Sequence, residues 1–216
     1  MKKVFILNGV GKSGKDTFSS FLRNYIPTYK YSIVDLPKEA AKVLGWDGGK
    51  TERDRKFLSD IVDLATEYND SPYNDVVSLV EAFDNELSEE VLIIDMRDPK
   101  DIARAVTDFE AETILVKNPS VRKIESNHAD ANVENYEYDY IIENDGTLEQ
   151  LDKMAYLFCE LAIKNNCFKK PVKFKCSDLA GEIWENLSFI WVAEWWNSAV
   201  IILIREINGE NTVDKR

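Results

Sequence analysis

The chain has 216 residues, 44% hydrophobic and 31% charged, which suits one α/β domain with an ample core and length to spare for an appendage. Its 39 Asp and Glu against 27 Lys and Arg leave a net charge of -12. That balance argues against nonspecific nucleic-acid binding, which needs many Lys and Arg on phosphates, so an anionic substrate must be held by a local basic cluster. Lys2 and Lys3 before an apolar run imitate a secretion signal, but Asn8 and Gly9 break the run early, and it reads as a first strand. No stretch approaches the roughly 20 apolar residues of a membrane span. Cys159, Cys167 and Cys176 lack metal-ligand spacing, so reduced thiols in a cytoplasmic protein are expected.

The first strand, Val4 to Asn8, stops at a glycine, and Gly9, Gly14 and Lys15 fit the G-x-x-x-x-G-K frame of a phosphate-binding loop. Glycines let successive backbone N–H groups turn into one concavity, and the helix that follows adds its positive end. Gly11, Lys12 and Ser13 complete the cradle, and Lys15 supplies a full charge for terminal phosphates. Phe18, Phe21, Leu22 and Tyr25 recur at helical spacing, so a helix does follow. The frame has one departure. Asp16 stands where Ser or Thr ordinarily reaches magnesium, and Thr17 comes one place later.

Pro27 ends the first helix, and Tyr31 to Asp35 reads as a second strand. A short helix over Lys38 to Leu44 closes at the turn Gly45 to Gly49. Thr51 and Asp54 have N-cap spacing for a helix whose buried face is Phe57, Ile61, Leu64 and Ala65. Another helix is expected over Tyr73 to Leu87. Val91 to Asp95 then reads as a buried parallel strand whose terminal carboxylate reaches the phosphate site and there holds magnesium. A turn or N-cap aspartate is the alternative.

Pro99 opens a helix with Ile102, Ala105, Val106 and Phe109 on one face, followed by a strand at Thr113 to Val116. Residues 118–135 have little apolar periodicity and carry Arg122, Lys123 and His128, so a surface segment is expected, with His128 a polar loop residue. A strand at Tyr138 to Ile142 and a turn at Asn144 to Gly146 precede a capping box, Thr147 with Gln150, on a helix whose inner face is Leu151, Ala155, Phe158 and Ala162. Beyond it, Lys170 to Cys176 alternates like a strand, Asp178 to Trp196 suits a helix, and Ala199 to Ile207 is β-prone. Trp184, Trp191 and Trp195 fall on roughly one face of that helix, which suits a core or oligomer contact. Glu182, Glu185 and Glu194 would repel an anionic membrane.

Strands alternating with helices imply an α/β fold, a parallel sheet with helices on both faces. The run Ser13-Gly14-Lys15-Asp16-Thr17 resembles the loop of phage-type deoxynucleoside monophosphate kinases, within the P-loop NTPase-type nucleoside monophosphate kinases. It is also similar to animal phosphomevalonate kinases, which share the Gly-Lys-Asp step. Asp95-Met96-Arg97-Asp98-Pro99 is similar to the phage-type aspartate–x–arginine–x–proline step, Asp139 to Leu148 resembles the late strand and turn, and His128 to Glu134 echoes the lid. The resemblance covers about residues 1–165 and is weak in the substrate insert. It implies a kinase domain over 1–165 with sheet order 2-3-1-4-5, a helical substrate insert at 36–90 and a lid at 118–135. Residues 166–216 then form an appendage packed on the core or serving a homodimer.

The implied activity is ATP- and Mg2+-dependent transfer of a γ-phosphoryl group to a (deoxy)nucleoside monophosphate. Gly9, Gly11, Lys12, Ser13, Gly14, Lys15, Asp16 and Thr17 would hold ATP, and Asp16, Thr17 and Asp95 the metal. Arg97 with Lys50, Arg53 and Arg55 would hold the acceptor phosphate through guanidinium forks. Lys15, Arg97 and, from the lid, Arg122 would stabilise the transferring group. For Thr51 to Lys56 the alternative is a solvated, self-paired helix start, and for Arg122 and Lys123 an exposed loop charge. Two other functions stay open: a kinase for a different phosphorylated small molecule, such as phosphomevalonate, or a nucleotide-binding regulator without transfer. No Asn-Lys-x-Asp signature follows the fourth strand, which disfavours a regulatory GTPase. The expected partner is a small-molecule monophosphate, with neither nucleic acid nor membrane involved.

Overall fold

The computed structural model describes residues 2–121, 133–166 and 170–179. In chain order the elements are β1 (Lys3–Asn8), α1 (Lys15–Leu22), β2 (Thr28–Ser32), α2 (Asp35–Val43), α3 (Glu52–Asn69), α4 (Ser71–Asn85), β3 (Val91–Asp95), α5 (Pro99–Phe109), β4 (Glu112–Lys117), β5 (Tyr140–Glu143), α6 (Leu148–Phe158) and β6 (Val172–Lys175). Among the described residues the six strands form one sheet in the order β2-β3-β1-β4-β5-β6, every neighbouring pair parallel. The expected order 2-3-1-4-5 is therefore present. The strand foreseen over Lys170 to Cys176 is found at Val172–Lys175 and extends that order through β5.

The central strands are apolar along their length because both of their faces are covered. One face carries Phe5, Leu7, Val91, Ile93, Ile114 and Val116, packed under Phe18 and Leu22 of α1 and Leu151, Ala155 and Phe158 of α6. The opposite face carries Ile6, Leu92, Ile94 and Leu115, packed under Tyr73, Val76 and Phe83 of α4 and Ile102 and Ala105 of α5. Phe158 is the hub of the first layer. Its fully buried ring meets Phe5, Phe18 and Tyr140 edge-on, at centroid distances of 5.6, 5.7 and 5.0 Å. Past it the helix continues as a π-helical turn, Cys159–Lys164, which keeps Ala162 inside.

The caps behave as the sequence indicates. Reciprocal capping boxes, Thr51 with Asp54 and Thr147 with Gln150, open α3 and α6. Asp98 caps α5 ahead of Pro99. At the C-terminal end of α4, the Lys2 ammonium donates to the carbonyls of Phe83, Asp84 and Leu87, where the last turn leaves acceptors free.

Three expectations are corrected. The second strand runs over Thr28–Ser32 instead of Tyr31 to Asp35. The Pro27 carbonyl accepts from Glu90 and Val91 N–H, which sets Thr28 opposite Val91. The Asp35 carboxylate accepts from Ser32 N–H and starts α2 three residues before the expected Lys38. On α3, Leu64 is 68% exposed rather than buried, and Phe57, Ile61 and Ala65 are half-buried. This helix packs chiefly on α2 and α4 instead of the sheet, so it has no core to enter.

Cys159 and Cys176 are buried free thiols, and burial pushes them up to about 11 and about 12 respectively, as suits unreactive core cysteines. Among the described residues no helix is long and apolar enough to cross a membrane. Cys167, the helix expected beyond Leu179 and the β-prone run Ala199 to Ile207 lie outside the described residues.

Removing the hub tests the packing account. Phe158→Ala should cost about 3–5 kcal/mol of unfolding free energy in a urea titration, and Phe158→Leu clearly less. A loss for the alanine variant below about 1 kcal/mol would mean that the layer closes over the gap.

Candidate functional site

Strand β1 ends at Asn8 in the middle of the sheet, beside the end of β3, with Leu7 opposite Asp95. Ligands of open α/β sheets bind at this carboxyl edge. Between Asn8 and α1 the chain makes a turn that its glycines alone allow. A Cβ on Gly9 would stand 2.6 Å from the Val116 carbonyl oxygen and 2.6 Å from Ser13 Oγ. Gly14, the N-cap of α1, is left-handed with φ 97°, and a Cβ there would collide with the Asn144 amide. No side chain caps α1, so its first-turn N–H groups have no side-chain acceptor and suit an anion.

Three side chains outside the glycine-lysine frame hold the loop in place. Asn144, in the turn after β5, donates from Nδ2 to the Ser13 carbonyl at 2.9 Å. Asn8 is buried and braced on all sides. Its Oδ1 accepts from Gly9 N–H at 2.8 Å, and its Nδ2 donates to Tyr138 Oη at 2.8 Å and to the Arg97 carbonyl at 3.4 Å. Tyr138 in turn donates to the Val133 carbonyl at 2.8 Å. The sequence reading treated Asn8 as a break in an apolar run and Asn144 as a turn former. A polar residue closing a strand buried on both faces was the available signal, since such a group must be hydrogen-bonded.

Beyond the loop lies a cluster of four charges. Lys15 Nζ bonds Asp95 Oδ2 and Asp16 Oδ1, each at 2.9 Å. Lys30, on β2, contacts the same two oxygens, Asp16 Oδ1 closely and Asp95 Oδ2 at 3.3 Å. Burial opposes the charge on Lys15, but Asp95 and Asp16 outweigh it and hold its pKa above the ordinary value. Burial also pulls Asp16 upward, yet the hydrogen bonds from Lys30 and Lys15 prevail and hold it at about 2. Lys30 was missed because the second strand was expected to begin after it. With the strand starting at Thr28, Ser32 sits opposite Asp95 and Lys30 shares its face.

Two buried oxygens, Asp95 Oδ1 and Ser13 Oγ, have no hydrogen-bond partner among the described residues. An unpartnered carboxylate oxygen inside a protein is costly unless a cation or donor arrives. Among the described residues no group of three or more His, Cys, Asp or Glu is assembled for a metal. A metal at Asp95 would therefore draw its ligands largely from water, Thr17 and bound phosphate, which fits magnesium, an ion that keeps several waters.

The other expected site residues are placed unevenly. Gly11 and Lys12 lie in the loop, Lys12 exposed at φ 69°, and Thr17 is half-buried in the first turn of α1. Arg97 is half-buried two residues past Asp95, its carbonyl held by Asn8. Lys50, Arg53 and Arg55 are exposed around the start of α3 and make no ion pair with the described residues, the Lys15–Asp95 cluster included. Arg122, Lys123 and His128 lie outside the described residues.

No protein-family model matches the chain, and no curated protein matches its sequence. Among solved structures it is similar to a sugar kinase from Janibacter sp. HTCC2649, at 12% identity over 75% of this chain and 96% of that one, with a TM-score of 0.46. It is also similar to TT1252 from Thermus thermophilus, at 16% identity over 74% and 98% of the two chains, with a TM-score of 0.40. Likenesses this distant carry no chemistry, which must come from the site itself.

The close approach of Gly9 to β4 has a measurable consequence. Gly9→Ala should lower unfolding free energy by about 1–3 kcal/mol, because backbone on β4 has to move. A urea midpoint equal to that of the unaltered protein would show that β4 yields freely.

Proposed function

We propose that this chain is an ATP- and magnesium-dependent kinase that passes a γ-phosphoryl group to a (deoxy)nucleoside monophosphate. The observation that carries the proposal is Lys15, at the mouth of an uncapped, glycine-built helix start, facing an aspartate with one buried oxygen unpartnered. Phosphoryl transfer asks for alignment and charge neutralisation more than for covalent chemistry. The loop N–H groups and Lys15 would take the donor phosphates. Asp95, Thr17 and Asp16 would hold magnesium, which neutralises charge on the phosphate oxygens.

On the acceptor side, Arg97 stands just past Asp95 at the sheet's carboxyl edge, where a guanidinium fork suits a monophosphate. Lys50, Arg53 and Arg55 would join it from the insert, and Arg122 from the lid. That the acceptor is a nucleoside monophosphate follows from the resemblance alone. A kinase for another phosphorylated small molecule would use the same donor loop.

Lys15→Ala should reduce transfer about 100- to 1,000-fold and leave the fold intact, since Lys30 still faces Asp95. Retention of most of kcat would remove the loop from the reaction. Arg97→Lys keeps the charge but loses the fork, so the acceptor KM should rise about tenfold while the ATP KM changes little. Both are read in a coupled ADP-release assay against a panel of nucleoside monophosphates and phosphomevalonate. Complete absence of transfer to any monophosphate, while ATP still binds, would favour the regulator.

A further inference from the structure

We propose that Lys30 is the counter-charge that allows an aspartate to stand directly after the loop lysine, a positioning residue that leaves Lys15 free for phosphate. The inference rests on reading the loop as a nucleotide site. In the usual frame the residue after the lysine carries a neutral hydroxyl. Here it is Asp16, whose carboxylate is 75% exposed where a polyanion is to settle. With Asp95 it sets two negative charges against Lys15, the loop lysine that pairs with both. Lys15 alone would be held by both carboxylates, and an arriving triphosphate would meet a net negative site.

Lys30 corrects that balance. It touches the same oxygen of Asp16 and the same oxygen of Asp95 that Lys15 touches, so the four groups alternate in a neutral ring. The strand register places it there, for Lys30 lies opposite Ile93, one strand repeat before Ser32 opposite Asp95. Its side chain is 18% exposed, and its ion pairs among the described residues are with these two carboxylates alone. Once Lys15 turns to phosphate oxygens, Lys30 remains on both aspartates and keeps their charge from opposing the ligand.

A plain structural tie between β2 and α1 would leave the same contacts, and a double-variant cycle separates the two roles. Binding of ATP to the full chain is measured calorimetrically without magnesium, so that metal coordination does not enter. Lys30→Met should weaken binding about tenfold, and Lys30→Met with Asp16→Thr should recover to within about threefold of Asp16→Thr alone. Lys30→Arg should bind nearly as the unaltered protein does. Unchanged binding by Lys30→Met, or a loss of equal size in the Asp16→Thr background, overturns the proposal. If Lys30→Met fails to fold, the comparison within the Asp16→Thr background decides alone, and an approximately tenfold loss there overturns it. Failure of the unaltered chain to bind ATP would bring down the nucleotide reading and this inference together. Normal ATP binding with an indifferent Lys30 would bring down only the latter.

Discussion

The pair between Lys15 and Asp95 brings together groups 80 positions apart, the first residue of α1 and the last of β3. It forms because β1 and β3 are paired in a register that puts Leu7 beside Asp95, so the helix leaving β1 must begin over the end of its neighbour. The two side chains are 12% and 15% exposed, and taking two charges that far from water costs several kcal/mol per ion before their attraction offsets it. Such a pair is a poor way to stabilise a fold. It makes sense as a site kept assembled by the centre of the sheet, where packing is dense and the backbone has few alternatives.

The glycine loop and the helices between β2 and β3 rest on different supports. The glycine loop is fixed by buried strands and by the side chains of Asn8, Tyr138 and Asn144. The helices between β2 and β3 meet the sheet through α4, while α3 buries no residue fully and Val43, Leu44, Leu64 and Tyr68 are exposed on α2, its C-terminal end and α3. Few buried apolar contacts mean low local stability.

Much of this was legible in the sequence, for physical reasons that differ by element. Apolar runs such as Val91 to Ile94 must be buried on both faces, and capping pairs such as Thr147 with Gln150 act over three residues, so both could be read locally. The position of β2 could not, because a half-buried edge strand with alternating Tyr and Lys has a weak pattern, and its register is set by Pro27 meeting Glu90 and Val91 far along the chain. That shift hid Lys30. Leu64 was misjudged because helical periodicity reports an apolar face but not whether any partner covers it. Asn8, Tyr138 and Asn144 escaped because their importance lies in which backbone groups they meet, and spacing carries no trace of that.

Asn8 followed by Gly9 is also the dipeptide whose amide is most readily attacked by the next backbone nitrogen, closing a succinimide that hydrolyses to aspartate or isoaspartate. The folded protein blocks that reaction, with Asn8 1% exposed and its amide hydrogen-bonded at both ends. An unfolded chain has no such protection, and an acid at this place would set a carboxylate against the Arg97 carbonyl and add a carbon to the loop backbone if isomerised. Each excursion out of the native state therefore carries a chance of chemical ageing at the root of the glycine loop.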